Sequence, residues 1–240
     1  MRTIMVGALG IAAIAMTTMP AAAQEAAEDT RPTVAVMYFT NGAFGSAHAE
    51  LEPLRKGIAD MLVTELAGNP RIRVVERDQL QKLLEEQNLS RTDNIDPATA
   101  VKLGRVLGAG HMIFGTYVTD FKNNMRLDVR AVDVETSRIV YTETITDKTD
   151  NFMAMISRIA ERANSGMKLP EMPRQAREQS SDRARKLPFQ AAMLYSRAIA
   201  EQDRGNTAGA VELYRAVIQK FPEYEPAERA LKKLRSSSSE

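Results

Sequence analysis

Residues 33–39, TVAVMYF, constrain the fold more than any other stretch of this chain. Because consecutive positions are apolar, a strand built from them must be covered on both faces. Strands of that kind lie inside sheets that have helices on both sides, and helical periodicity follows here after a turn-rich segment. Beyond Pro53, the apolar positions of one helix face are Leu54, Ile58, Met61, Leu62 and Leu66. The two stretches predict a β-α unit of an α/β fold.

The next elements continue this alternation of strand and helix. Residues 72–75 predict a second short strand, and residues 80–84 carry the apolar spacing of the helix after it. Asp96 is predicted as the N-cap of a further helix, with Pro97 at the first helical position. Gly108 ends the apolar pattern of that helix, as a glycine commonly does.

After Gly110 the pattern changes from helices to consecutive strands. Apolar and charged residues alternate over residues 125–130, so one face of that strand is predicted to be solvated. Asn123-Asn124 predicts the hairpin turn before it. The predicted strands are residues 111–121, 125–134 and 138–146, followed by a helix that ends near Gly166. The whole order, β-α-β-α-α-β-β-β-α, predicts an α/β fold with a mixed sheet and helices packed against it.

The first residues have the composition of an export signal. Residues 1–23 combine a positive start, a short apolar core and small residues, which predicts a secretory signal peptide cleaved after Ala23. Residues 24–31 are predicted to form an N-terminal tail. The chain has no cysteine, so it has no disulfide, thiolate metal ligand or cysteine-linked lipid. We expect a periplasmic protein of a Gram-negative bacterium.

The residues after the predicted α/β domain (residues 32–167) divide into three parts. Residues 168–186 are interpreted as a polar linker, part of which could extend a helix. Residues 187–235 follow the spacing of a tetratricopeptide repeat with a capping helix, with the turn between the first two helices at Gly205-Asn206. Residues 236–240 are predicted to be a disordered tail.

The charged cluster Glu76-Arg77-Asp78 after the second strand has two interpretations. As a structural feature, Asp78 would cap the next helix, and Gln81 three residues later would complete a capping box. As a functional feature, Glu76 and Arg77 would contact a partner or a second subunit, without catalysis. The sequence favours the structural interpretation and leaves the second open.

Nothing in the sequence predicts catalysis, a cofactor or a metal site. The only histidines are His48 and His111, and neither has the neighbours of a catalytic triad. Metal binding would need His48 with Glu50 and Glu52, in a loop of unspecified geometry. The formal charge is +1, without the basic excess of a nucleic-acid-binding protein. We expect a protein that is not an enzyme and binds no nucleic acid.

Two blocks of sequence together resemble the CsgG family of curli assembly and transport components. They are RVVERDQLQKLLEEQNLS, at residues 73–90, and AVKLGRVLGAGHMIFGTY, at residues 100–117. The likeness covers residues 32–166, and the wider fold is similar to the N-terminal domain of TolB and to lipoprotein activators of penicillin-binding proteins. The resemblance implies the periplasmic domain of the family. It does not imply its channel, because the lipid-bearing cysteine is absent and the hairpin at Lys122–Met125 is too tight to extend.

From these observations we expect a non-enzymatic periplasmic factor that binds other proteins in cell-envelope assembly or curli-type export. The partners are expected to be other envelope proteins, with self-association and peripheral contact with the outer membrane as further options. The alternatives are an outer-membrane secretion-channel subunit and a regulator of peptidoglycan synthesis. The candidate partner-binding residues are Glu76, Arg77, Tyr195, Tyr214 and Arg215, the last three in helix grooves predicted to be exposed.

Overall fold

The computed structural model describes residues 29–89, 96–120 and 122–237. Contacts divide the chain into two units, Met1–Thr30 and Arg31–Glu240, and the described helices and strands lie in the second. The predicted signal peptide and its cleavage after Ala23 fall outside the described residues. So does Phe121, next to the predicted hairpin turn.

A mixed six-stranded sheet forms the centre of the α/β domain. Its strands are β1 (Thr33–Val36), β2 (Thr40–Asn41), β3 (Arg73–Val74), β4 (His111–Thr119), β5 (Asn124–Asp133) and β6 (Arg138–Lys148). The order across the sheet is β3-β1-β4-β5-β6, and β2 pairs with β4 off this path. The pairs of β1 with β3 and with β4 are parallel, whereas β4, β5 and β6 form an antiparallel meander.

Helices pack against this sheet in the predicted sequence. They are α1 (Ser46–Leu51), α2 (Leu54–Ala67), α3 (Arg77–Glu86), α4 (Pro97–Leu107) and α5 (Phe152–Gly166), with a 3-10 turn at Thr149–Asn151. The α/β fold class and the mixed sheet are confirmed. Two short elements, β2 and α1, lie in the segment that the sequence indicated only as turn-rich.

Local sequence signals explain several boundaries. The Asp96 Oδ1 atom accepts hydrogen bonds from the backbone N–H groups of Ala98 (2.8 Å) and Thr99 (3.0 Å), so it is the N-cap that was predicted. Gly108 ends the same helix in the left-handed region, with φ of 63°. In β5 the apolar positions are buried and the charged positions between them are solvated or half-buried, as the alternation predicted.

The predicted cap of α3 is wrong. The helix begins at Arg77 with Glu76 as its N-cap residue, and no side chain makes a capping hydrogen bond there. The carboxylate of Asp78 is instead held by Arg77 Nη2 at 2.9 Å and by Lys233 Nζ at 2.8 Å. Because the N-cap residue is Glu76 and not Asp78, Asp78 lies inside the first turn of the helix and past the N-cap position, and its side chain pairs with these two cations.

The stretch interpreted as a polar linker is mostly helix. Helix α6 (Arg174–Lys186) takes up most of residues 168–186, which realises the option that part of the linker is helical. Its side chains contact the α/β domain, because Arg183 Nη2 lies 2.9 Å from Glu65 Oε1 and the Ser180 hydroxyl donates to the same carboxylate. Residues 168–186 are therefore packed on the α/β domain and do not act as a free tether.

The last three helices form a hairpin and a capping helix, called here the helical module. They are α7 (Phe189–Asp203), α8 (Thr207–Lys220) and α9 (Glu225–Ser237). Gly205 has φ of 79°, and the Asn206 side chain caps α8 by accepting from the Gly209 N–H at 3.1 Å. The predicted turn is therefore present, although α9 extends two residues into the predicted disordered tail. Assignment of this module as a tetratricopeptide repeat stays a prediction.

The helical module packs directly on α2, a question the sequence left open. Gly57 of α2 faces Ser196 of α7 at very close range, because a Cβ atom added to Gly57 would lie 2.7 Å from the Cβ of Ser196. Buried apolar residues of the sheet, of α2 and of the module form one continuous core. Within the described residues, no helix combines the length and apolar character that crossing a bilayer requires.

Candidate functional site

A cavity of about 680 Å³ lies where the helical module meets the α/β domain. Its walls come from α2, from the start of α3, from Arg183 of α6, and from α7, α8 and α9. Two walls are helix stripes at the i, i+3, i+4, i+7 spacing. The stripes are Asp60, Val63, Thr64 and Ala67 on α2, and Pro226, Arg229, Ala230 and Lys233 on α9. The cavity therefore exists only while the module is docked.

Four of the five predicted partner-binding residues line this one cavity. Glu76 and Arg77 reach it from α3, and Tyr195 and Tyr214 from α7 and α8. Arg215 is exposed on α8 and is not part of the lining. The expectation of exposed grooves around the tyrosines is wrong, because Tyr195 is 3% and Tyr214 is 1% exposed. Whether these residues bind a partner stays a prediction.

Arg77 is the centre of a buried ion network between the two parts of the protein. Its Nη1 atom lies 2.8 Å and 2.9 Å from the two carboxylate oxygens of Asp203, at the end of α7. The Lys56 Nζ atom of α2 also contacts the carboxylate of Asp203, at 2.6 Å from its Oδ2 atom. The Nε atom of Arg77 lies 3.6 Å from Asp60 Oδ1. Burial acts against the charge of Arg77, but these carboxylates, Asp203 first, hold its pKa above its ordinary value.

Three tyrosines pack together beside this network. The ring of Tyr195 lies 5.8 Å from that of Tyr214 and 5.0 Å, edge-on, from that of Tyr224. The Tyr195 hydroxyl donates to Asp60 Oδ2 at 2.6 Å, and the Tyr214 hydroxyl donates to Gln202 Oε1 at 2.8 Å. The Tyr224 hydroxyl is buried and has no hydrogen-bond partner among the described residues.

The rim of the cavity carries charges of both signs. Lys233 of α9 reaches across to Asp78 at 2.8 Å and to Glu76 at 3.8 Å. These side chains are all about half exposed or more, and exposed pairs contribute roughly 0–1 kcal/mol. The contact between α9 and α3 is therefore weak compared with the buried network around Arg77.

Asp60 gives the site a pH dependence of defined sign. Burial raises the pKa of this carboxyl, and this outweighs the lowering effects of the Tyr195 hydrogen bond and the Arg77 charge. A carboxyl whose pKa is higher in the folded than in the unfolded state stabilises the fold at low pH. That contribution is lost as the pH rises through the folded-state value. At neutral pH the charged Asp60 therefore lowers the stability of the fold.

Asp60→Asn is expected to raise the free energy of unfolding at pH 7, because asparagine keeps an acceptor for Tyr195 without the buried charge. The difference from the wild type should shrink as the pH falls and the wild-type carboxyl, whose pKa is raised by burial, takes up a proton. Urea unfolding over a series of pH values measures this. Asp147→Asn is the contrasting control, because hydrogen bonds, first that of Asn151, lower the pKa of Asp147, so this variant should be less stable than the wild type at pH 7.

The residues considered for catalysis or metal binding do not come together. His48 is exposed, and its backbone carbonyl accepts a hydrogen bond from the Asn41 side chain, whereas the Glu52 carboxylate accepts from Asn41 and Arg55. In the part of the chain that the structure describes, no three His, Cys, Asp or Glu side chains are placed to hold a metal ion. His111 lies 3.8 Å from Asp133, and burial lowers the pKa of its imidazole.

The sequence missed the acidic residues that complete the site. Asp60 lies on the side of α2 opposite the apolar face of Leu54, Ile58 and Leu62, where a charged residue needs no protein partner, so the sequence contains no signal of a contact there. Asp203 gave no signal either, because it lies at a helix end where charged residues are common. Its partner Arg77 is 126 residues away in the sequence, and only the packing of the module brings the two together.

Comparison with known proteins gives evidence that is independent of the geometry of the site. A family model described as "Curli production assembly/transport component CsgG" matches residues 15–126. No curated protein matches the chain.

Solved structures overlap with the chain more loosely. The C-terminal domain of LpoB from Escherichia coli is 19% identical, covers 49% of this chain and 82% of its own length, and has a TM-score of 0.36. TolB from Acinetobacter baumannii is 13% identical over 58% of this chain and 29% of its own, with a TM-score of 0.38. The PelC dodecamer from Paraburkholderia phytofirmans is 13% identical over 59% of this chain and 90% of its own, with a TM-score of 0.35.

The matched residues run from before β1 into the start of β5, and they include both sequence blocks that resemble the family. The match covers just under half of the chain, and it shows that this chain is similar to the CsgG family through its α/β domain.

Proposed function

We propose that this protein is a non-enzymatic factor of the bacterial envelope that binds other proteins in the periplasm, in cell-envelope assembly or curli-type export. The observation that carries the proposal is the cavity of about 680 Å³ built jointly by the α/β domain and the helical module. The likeness of the α/β domain to a family described by assembly and transport supports the envelope role. The predicted signal peptide supports export.

Because the helical module is docked on the α/β domain, the binding surface is already formed in the absence of a partner. The Arg77 network and the close packing of Gly57 on Ser196 hold α7 against α2. A preorganised site loses less conformational entropy on binding than one that must be assembled. Accessible apolar side chains of the lining, such as Ala67 and Ala230, offer contact area, and the charged rim offers specificity, which is the usual division of roles in peptide recognition.

Self-association is a second mode of assembly that the surface supports. The described residues include four large apolar side chains with substantial exposure, Phe44, Val106, Ile139 and Val140. Ile139 and Val140 lie on β6, the outer strand of the meander, whose outer edge bonds to no other strand of the described sheet. A free strand edge with apolar side chains is a template for pairing with another chain.

A photo-crosslinking amino acid placed at Arg229 tests the proposed function in intact cells. Arg229 lines the cavity and is more than half exposed, so the probe reaches a bound partner without unfolding the protein. We expect a discrete adduct with an envelope protein. The same probe at Lys232, which is exposed on α9 but outside the cavity, is the matched control and should give none.

Recovery of only the uncrosslinked monomer from both positions would contradict the proposed function. Fractionation of the same cells addresses the channel alternative. A periplasmic factor is released by osmotic shock, whereas a channel subunit stays with the outer membrane after washing with high salt. A regulator of peptidoglycan synthesis would be identified by the protein captured at Arg229.

A further inference from the structure

We propose that the outer edge of β6 pairs with the same edge of a second copy of this chain, in an antiparallel register centred on Thr144. The pairing joins two sheets into one continuous sheet around a twofold axis. This inference rests on the self-association named in the proposed function, and it specifies the surface and the register. It does not involve the cavity.

The outer edge of β6 is a long row of unpaired backbone groups. β6 is the longest strand of the described sheet, and it stands last in the order β3-β1-β4-β5-β6. Within the described residues, no strand, turn or loop forms a backbone hydrogen bond to its outer side. A free edge of this kind pairs readily with another strand.

Natural sheets protect free edges with bulges and charged residues, and β6 has these devices at its two ends. At the start, the pairing with β5 shifts its register next to Tyr141. At the end, the backbone N–H of Lys148 donates to Asp147 Oδ1 at 2.8 Å. Residues 141–147 between these points contain no proline, glycine or lysine, so a regular stretch of edge stays open.

The open stretch has the same pattern when it is placed against its own antiparallel copy, as a contact around a twofold axis requires. Thr142, Thr144 and Thr146 are exposed and share one face of the sheet, because alternate residues of a strand point the same way. Pairing centred on Thr144 sets Thr144 against its copy and Thr142 against Thr146 of the second chain. Directly opposite threonines are among the cross-strand pairs that stabilise antiparallel sheets.

The other face of the edge accepts this register without placing like charges opposite each other. On that face Tyr141 lies opposite Asp147 of the copy, and Glu143 lies opposite Ile145. Both carboxylates are already paired with arginines of α5 in their own chain. A centre at Glu143 or at Ile145 would instead set two carboxylates opposite each other, which is unfavourable. Thr144 is also the middle of residues 141–147, so centres further away pair fewer residues.

The absence of cysteine from the chain allows a direct test of this register in the mature protein. Thr144→Cys is expected to form a disulfide-linked dimer under copper-catalysed oxidation, because directly opposite residues of antiparallel strands lie within disulfide reach. Thr142→Cys and Thr146→Cys should each form none alone, since each position lies about 14 Å from its own copy, four residues along the strand. A mixture of these two variants should form the mixed disulfide.

Charge substitutions at the outer two threonines measure the strength of the pairing. Thr142→Lys/Thr146→Lys sets lysine against lysine twice across the axis, so the dissociation constant from sedimentation equilibrium should rise about tenfold. Thr142→Lys/Thr146→Glu is the matched control, because lysine then lies opposite glutamate of the other copy. Its dissociation constant should equal that of the wild type or fall below it.

Three results would overturn the proposal. They are a chain that stays monomeric at the highest concentrations that sedimentation reaches, no more disulfide-linked dimer from Thr144→Cys than from Thr142→Cys or Thr146→Cys alone, and equal dissociation constants for the two double variants.

The proposed function has a separate readout. If the edge pairing fails while the probe at Arg229 captures another envelope protein, the proposed function stands without this dimer. If the pure chain dimerises in the predicted register and that adduct is absent, the edge pairing stands and the proposed function fails.

Discussion

Arg77→Met is expected to lower the free energy of unfolding by about 3–5 kcal/mol. Methionine keeps much of the side-chain volume but leaves the buried carboxylates of Asp203 and Asp60 without their guanidinium. Lys56 still reaches Asp203, and this limits the loss without abolishing it, because one ammonium cannot replace a guanidinium that contacts both carboxylate oxygens. The cost comes from the uncompensated charges and not from the worth of the pair itself.

Urea unfolding followed by far-UV circular dichroism measures this change. Lys233→Gln breaks an ion pair at the same cavity, but an exposed one, so it should cost no more than about 1 kcal/mol. In the double variant Arg77→Met/Asp203→Leu, the loss should be smaller than the sum of the two single losses, because the unpaired charge of Asp203 is then gone. A loss below about 1 kcal/mol for Arg77→Met alone would show that the charges of the network are more exposed to solvent than in the structure, because exposed ion pairs contribute about that little.

Gly57→Ala is expected to destabilise the protein by about 1–3 kcal/mol, against the usual direction of this substitution. In a helix interior, alanine is normally favoured over glycine by about 1 kcal/mol. Here the added methyl group would lie 2.7 Å from the Cβ of Ser196 and closer still to its hydroxyl, so α2 and α7 would have to move apart. Separation of the two helices would also disturb the Arg77–Asp203 contact, which depends on the same packing.

The matched control restores the space on the other helix. Gly57→Ala/Ser196→Gly moves the small residue from α2 to α7 and should recover part of the stability lost in the single variant. Thermal unfolding of the three proteins gives the comparison. If Gly57→Ala raised the midpoint, the close approach of α2 and α7 would be refuted, and the placement of the helical module with it.

The parts of the fold that sequence analysis could predict are those set by local patterns. The alternation in β5 follows from its own side chains, as does the N-cap at Asp96, and both are confirmed. Asp78 also had the local pattern of a cap, but Lys233, distant in the sequence, competes for its carboxylate. Capping rules consider only neighbouring residues, so they could not anticipate that contact.

The candidate site was predicted in part for the same reason. The cluster at Glu76 and Arg77 and the tyrosines of the module were visible as unusual residues, and the structure places them around one cavity. The docking of α7 on α2 joins them, and it depends on a missing side chain at Gly57 and a buried charge at Asp60. Neither residue indicates which segment it contacts, because a close contact between distant segments leaves no periodic pattern in the sequence.

Helix α2 is covered from two sides, by the sheet and α5 within the α/β domain and by α7 of the helical module. The two modules that the sequence separates therefore share one interior helix and one core. The border between them runs through packed side chains and not through solvent, so neither half has a complete hydrophobic interior of its own. In thermodynamic terms, the described protein is a single cooperative unit whose terminal helices contribute to the stability of its central sheet.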